Sequence, residues 1–184
     1  GDGKTDPAVF SPSTGSWKIL KSSNGQVTEF QLGTSGDIPV PDDYDGDGKA
    51  DPAVYRPSDS RWFINKSLTG PSEVVFGSIN SLPVPADWNH DDKADPAVFN
   101  RTTLQWELST TLNGPLTLTF GAEGDFIFAA DYGGSGFLQP SYYRPSTGEW
   151  RVRNIPWEGE YSLQLPFVPA GVPILGHFDG DGRT

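Results

Sequence analysis

The sequence contains no cysteine and no methionine. Without cysteine there is no thiol nucleophile and no disulfide framework, and the redox compartment cannot be read from cysteine usage. Without methionine the sequence as it stands carries no initiator, and no signal peptide is expected within it. The chain opens instead on Gly1-Asp2-Gly3-Lys4-Thr5-Asp6-Pro7, in the middle of a motif that recurs further on. It is therefore expected to be a processed product or a window from something longer. No run of eighteen apolar residues exists, so no segment is expected to span a membrane. The only two histidines are His90 and His177, and neither accompanies a serine in a recognisable nucleophile motif. Basic charge is scarce: 13 Lys and Arg stand against 24 Asp and Glu, a net charge of −11 at pH 7. A nucleic-acid partner needs a basic face, so that class is excluded.

What is present reads as a compact β-domain. The 184 residues suffice for one domain with a sizeable core. Glycine (22) and proline (17) are plentiful and no long stretch shows helical periodicity, while 12 % aromatic residues are too many for a disordered tail.

Internal repetition decides the architecture. Asp2, Asp47, Asp91, Ser135 and Asp181 occupy one motif position at spacings of 45, 44, 44 and 46. A first run recurs as Pro7-Ala8-Val9-Phe10, Pro52-Ala53-Val54-Tyr55, Pro96-Ala97-Val98-Phe99 and Pro140-Ser141-Tyr142-Tyr143. A polar turn and a second run follow, with a tryptophan each time at Trp17, Trp62, Trp106 and Trp150. The third run is clearest in the alternation Leu116-Thr117-Leu118-Thr119-Phe120. The fourth is Ile38-Pro39-Val40-Pro41, Leu82-Pro83-Val84-Pro85, Phe126-Ile127-Phe128-Ala129 and Val172-Pro173-Ile174-Leu175. Four short strands in about 45 residues, repeated, predict an all-β chain of four four-stranded antiparallel propeller blades. Units are expected at about 1–42, 43–86, 87–130 and 131–176, with 177–184 beginning a next one. The array is expected to close within the chain or to be completed by neighbouring copies. The tryptophans are expected in the core, and Trp157, outside the repeat, is the candidate for surface recognition.

Between the fourth run and the next first run lies an acidic turn. In Asp43-Tyr44-Asp45-Gly46-Asp47-Gly48-Lys49-Ala50-Asp51, carboxylates stand at positions 1, 3, 5 and 9. Alternate acids in a tight loop converge and would repel unless a cation sat among them. Hard oxygen ligands, the glycine at position 6 and the Lys49 carbonyl at position 7 suit Ca²⁺. A helical calcium loop carries its last acid at position 12; here it is Asp51, followed at once by Pro52 and a β-type run, so the turn is expected to join strands and to pin neighbouring sheets together. Asp87, Asn89, Asp91 and Asp95, with the Lys93 carbonyl, form a second candidate, in which Asp92 replaces the glycine and strains the turn. The third turn, from Asp131 to Gln139, keeps only Asp131 and Ser135 at ligand positions and is predicted to hold no calcium. At the ends, Asp179 and Asp181 fill the slots of Asp45 and Asp47, and Asp6 that of Asp51; with Asp2 they supply the material of a further site across a junction.

The stretch Pro39-Val40-Pro41-Asp42-Asp43-Tyr44-Asp45-Gly46-Asp47-Gly48-Lys49-Ala50-Asp51-Pro52-Ala53-Val54-Tyr55-Arg56-Pro57-Ser58 resembles the FG-GAP/VCBS repeats of integrin α-subunit propellers and of bacterial surface and secreted proteins. The likeness covers nearly the whole chain. It implies Ca²⁺ ligation by Asp43, Asp45, Asp47 and Asp51, and by Asp87, Asn89, Asp91 and Asp95. Such propellers usually have seven blades, and four units depart from that. The expected function is a non-enzymatic, extracellular or cell-surface, calcium-binding repeat with a structural, assembly or adhesion role, self-associating through complementary ends. Two alternatives stand beside it. One is a lectin-like propeller binding a glycan through Trp157 with Arg151 and Arg153 nearby, or else a surface protein. The other is a segment of a larger secreted enzyme.

Overall fold

The structure is a computed structural model that describes residues 4–155, 159–164 and 171–175. Among these the regular elements are all β-strands, arranged as the blades of a four-bladed propeller. The first sheet holds β1 (Ala8–Ser11), β2 (Ser16–Leu20) and β3 (Val27–Gln31). The second holds β4 (Ile38–Pro39), β5 (Ala53–Arg56), β6 (Arg61–Lys66) and β7 (Gly70–Val75). The third holds β8 (Leu82–Pro83), β9 (Ala97–Asn100), β10 (Gln105–Leu108) and β11 (Leu116–Thr119). The fourth holds β12 (Phe126–Ala130), β13 (Gln139–Arg144), β14 (Glu149–Arg153) and β15 (Glu160–Gln164).

Each four-stranded sheet takes its first strand from the end of one sequence unit and its other three from the next. Ile38 pairs with Tyr55 and Pro39 with Val54; Leu82 pairs with Phe99 and Pro83 with Val98. Proline cannot donate to a ladder on both sides, so these two-residue strands sit at sheet edges. The offset corrects one expectation. The acidic turns connect β4 to β5, β8 to β9 and β12 to β13, so they join strands of one sheet and do not bend the chain from one sheet to the next.

Burial on both faces of the inner strands holds the array together. Trp17, Trp62, Trp106 and Trp150 are all buried, in the core where the repeat placed them. Three of their indole N–H groups donate to a carbonyl just beyond the third strand: Trp17 to Leu32, Trp62 to Phe76 and Trp106 to Phe120, at 3.0, 3.1 and 3.0 Å. A buried indole needs such a partner. The residue after each acceptor is a glycine with positive φ: Gly33 (103°), Gly77 (97°) and Gly121 (114°). Each lies against the inner strand of the following sheet, and a Cβ on Gly77 would stand 2.7 Å from the Val98 side chain. One apolar cluster joins Tyr55 and Trp62 to Ala94 of the second acidic turn and Val98 of the next sheet, and another joins Phe99 and Trp106 to Tyr142.

The first sheet departs from this pattern. Val54 and Val98 are 0 % exposed, whereas their counterpart Val9 is 69 % exposed. Among the described residues β1 pairs only with β2.

Candidate metal centre

The three described turns share one backbone path. Position 4 takes positive φ in Gly46 (79°), His90 (63°) and Gly134 (67°), and position 6 does so in Gly48 (78°), Asp92 (65°) and Gly136 (85°). Glycine adopts this region freely; His90 and Asp92 do so under strain, as expected for Asp92. The position-1 carboxylate organises the path by collecting backbone amides. Asp43 Oδ1 accepts from Gly46 at 2.7 Å and, at 3.3 Å, from Asp45 and Asp47; Oδ2 accepts from Gly48 at 2.7 Å. Asp87 accepts from Asp91 and Asp92, and Asp131 from Gly133, Ser135 and Gly136. This work requires no ion, and the third turn does it as well as the first.

Position 9 closes the turn. Asp51 is fully buried; its Oδ2 accepts from the Tyr44 amide at 3.1 Å and its Oδ1 from the Ser67 amide at 2.7 Å. Asp95 Oδ2 accepts from the Trp88 amide at 3.2 Å, and in the third turn Gln139 Oε1 accepts from the Tyr132 amide at 3.1 Å. Asp6 repeats the second half of the pattern by accepting from the Ser22 amide at 2.7 Å. In Asp51 one oxygen therefore pins the turn and the other pins the residue that follows β6. The aromatic at position 2 anchors the turn from beneath: Tyr44 Oη donates to the Val40 carbonyl at 2.8 Å, and Trp88 Nε1 to the Val84 carbonyl at 3.3 Å.

Position 3 distinguishes the first two turns. Asp45 Oδ2 accepts from the Leu68 amide at 2.8 Å, while Asp45 Oδ1 is buried with no hydrogen-bond partner. Asn89 Oδ1, the matching atom of the second turn, is likewise buried and bare. Buried oxygens are nearly always satisfied, so two at the same repeat position call for a ligand. Carboxylate oxygens of Asp43, Asp45 and Asp51 lie within 4.8 Å of one another. Asp47 is engaged elsewhere: Oδ2 accepts from Lys49 Nζ at 2.5 Å and from Ser67 Oγ at 2.8 Å. The Lys49 ammonium, followed by Ser67, holds the Asp47 carboxyl below the usual carboxylate range. The third turn has Gly133 at position 3 and no such bare oxygen.

Electrostatics separate the turns further. Desolvation pushes the Asp95 carboxyl up to about 6, against the Trp88 amide, which lowers it, and with help from the charges of Asp91 and Asp87. Burial also opposes the charge of Asp131, but the amides of Gly136, Ser135, Gly133 and Gly134 outweigh it and leave that carboxyl low. The turns form a row: the Lys93 side chain lies over Gly46, and the His90 ring packs on Phe137 at 4.9 Å.

Two polar latches escaped the sequence reading. Arg56 grips buried Asp37 through Nε and Nη2 at 2.8 and 2.9 Å, and Arg144 grips buried Asp125 at 3.0 and 2.9 Å. Their signal was an acid just before the fourth run with an arginine closing the first run, absent from the third sheet, where Ser81 and Asn100 stand instead. Arg151 and Arg153 are spent on Glu149 and Glu160. Asp2, Asp179, Asp181, His177 and Trp157 lie outside the described residues. Compared with protein-family models, curated proteins and solved structures, the chain matches none.

Proposed function

We propose that the chain is a non-enzymatic, calcium-binding repeat protein of the FG-GAP/VCBS type. Its setting is extracellular or the cell surface, and its work is to present a rigid surface for assembly or adhesion. The observation that carries this reading is the pair of buried, unpartnered oxygens, Asp45 Oδ1 and Asn89 Oδ1. A hard cation satisfies such atoms and offsets the repulsion of the acids around them. Asp43, Asp45 and Asp51, whose oxygens converge, would hold one ion with the Lys49 carbonyl, and Asp47 would join them by exchanging its bonds to Lys49 and Ser67 for the ion. Asp87, Asn89, Asp91 and Asp95 with the Lys93 carbonyl would hold another. Carboxylate, amide and carbonyl oxygens without thiolate or imidazole suit Ca²⁺ better than a softer metal. The ion would supply charge neutralisation and cross-linking of the turn, with no reaction.

Thermal melts with calcium and with a chelator test the reading. A ligand bound only by the folded chain raises the midpoint, by an amount that grows with the logarithm of its concentration above Kd. The wild type should melt lower in chelator, and Asp45→Ala should lose part of that calcium dependence. Identical midpoints in calcium and chelator would overturn the reading.

A further inference from the structure

Successive acidic turns touch at one repeated place. Lys93, at position 7 of the second turn, lies over Gly46, at position 4 of the first. Phe137, at position 7 of the third turn, packs on His90, at position 4 of the second, with ring centroids 4.9 Å apart and planes tilted by 46°. Position 4 is where the chain takes positive φ: 79° in Gly46, 67° in Gly134 and 63° in His90. Glycine accepts that conformation freely, whereas a residue with a Cβ is held there only by its surroundings. For His90 those surroundings are the third turn. Its ring sits against Gly136, where a Cβ would stand 2.9 Å from the His90 Cε1 atom, so the third turn offers both a bare backbone seat and the half-buried ring of Phe137.

The seat needs no ion. Asp131 collects the amides of Gly133, Ser135 and Gly136 at 3.2, 3.0 and 2.6 Å. Gln139, neutral where the first two turns carry an acid, accepts from the Tyr132 amide and donates to Asn154 Oδ1 at 2.8 Å. The third turn is thus short of ligands yet keeps the shape of the others. His90 stands between Asn89, whose Oδ1 is buried and bare, and Asp91, whose amide donates to Asp87 Oδ1 at 3.1 Å. The φ of His90 therefore sets how these two neighbours are aimed.

We infer that Phe137 and Gly136 are positioning residues of the second calcium site: acting through His90, they hold its turn in the binding shape before the ion arrives. A site already in shape loses less affinity to the ordering of its loop. This inference rests on the calcium reading above and gives a role to the turn predicted to hold none.

Calcium is titrated calorimetrically into the full chain at one pH, and the step lost in Asn89→Ala marks the second turn. Phe137→Ala is expected to weaken that step about fivefold or more, and Phe137→Tyr, which keeps the ring, by less than about twofold. Gly136→Ala, whose Cβ displaces the same His90 ring, should weaken it as Phe137→Ala does, and it decides the matter should Phe137→Ala not fold. His90→Gly removes the need for support, since glycine takes the conformation unaided. In that background Phe137→Ala and Gly136→Ala should each change the step by less than about twofold, a result that a general loss of stability would not produce. An unchanged step in Phe137→Ala, or an equal loss in both backgrounds, would overturn the inference and leave the calcium reading standing. A wild type that takes up no calcium would overturn both.

Discussion

The Ala94 amide donates to the Asp43 carbonyl at 2.6 Å, tying position 8 of the second acidic turn to position 1 of the first. With the Lys93 side chain lying over Gly46, the two candidate centres share a backbone bond and a side-chain contact. Ordering one turn therefore orders part of the other, and coupling between sites is reciprocal. Asp45→Ala, which removes a proposed first-turn ligand, is expected to weaken calcium binding at the second turn by about fivefold or more. Calorimetric titration of wild type and variant checks this. An unchanged second-site affinity would show the turns to be independent.

Gly77→Ala is expected to destabilise the protein by about 2–4 kcal/mol, from an L-residue forced into the left-handed region and a Cβ driven into Val98. Gly114 supplies the comparison: its φ is 94°, and nothing lies within 4 Å of a Cβ built there. Gly114→Ala should cost only the backbone share, about 1 kcal/mol. Denaturant melts give both values, and equal losses would mean that Gly77 does not seal the contact between sheets.

Asp92→Gly should stabilise the chain by about 0.5–1 kcal/mol, because Asp92 holds a φ of 65° that glycine adopts without strain. Position 6 is not a side-chain ligand position, so calcium affinity at the second turn should not fall. A lower melting midpoint for Asp92→Gly would show that the Asp92 side chain has a role beyond the turn's shape.

Asp95 gives the pH dependence its sign. Its carboxyl titrates near 6 in the metal-free fold against a reference of 3.8, so the folded chain binds this proton more tightly than the unfolded chain between those values. Stability from this group is present at low pH and is lost as pH rises through that window. In chelator, wild type minus Asp95→Asn should therefore become less favourable between about pH 4 and pH 7. Asparagine keeps the acceptor for the Trp88 amide, as Gln139 does for Tyr132 in the third turn. With calcium the trend reverses, because the ligand must be ionised to bind. Melts of both proteins across pH, with and without calcium, read the two slopes; a pH-independent difference would remove Asp95 from the account.

Much of this was legible in the sequence because repetition fixes strands and turns together. The 44-residue spacing placed Trp62 and Trp106 in equivalent core sites, and the turn pattern placed Asp43, Asp45 and Asp51 around one point. Sheet membership of the fourth run was not legible: Ile38 and Pro39 pair across the turn, and order along the chain does not reveal which neighbour a two-residue strand joins. Nor was the engagement of Asp47 by Lys49 and Ser67, since Ser67 comes from beyond β6 and only folding brings it to the turn. Trp88 is buried beneath its turn as Tyr44 is, with its indole N–H in the place of the phenol, an equivalence that residue type alone does not reveal.

Anomalous diffraction from crystals grown in calcium, collected at a wavelength where the ion scatters anomalously, tests the central claim most directly. The account predicts one peak within about 2.3–2.6 Å of Asp45 Oδ1, a second at the same distance from Asn89 Oδ1, and none at the turn from Asp131 to Gln139. No peak at either of the first two turns would contradict it.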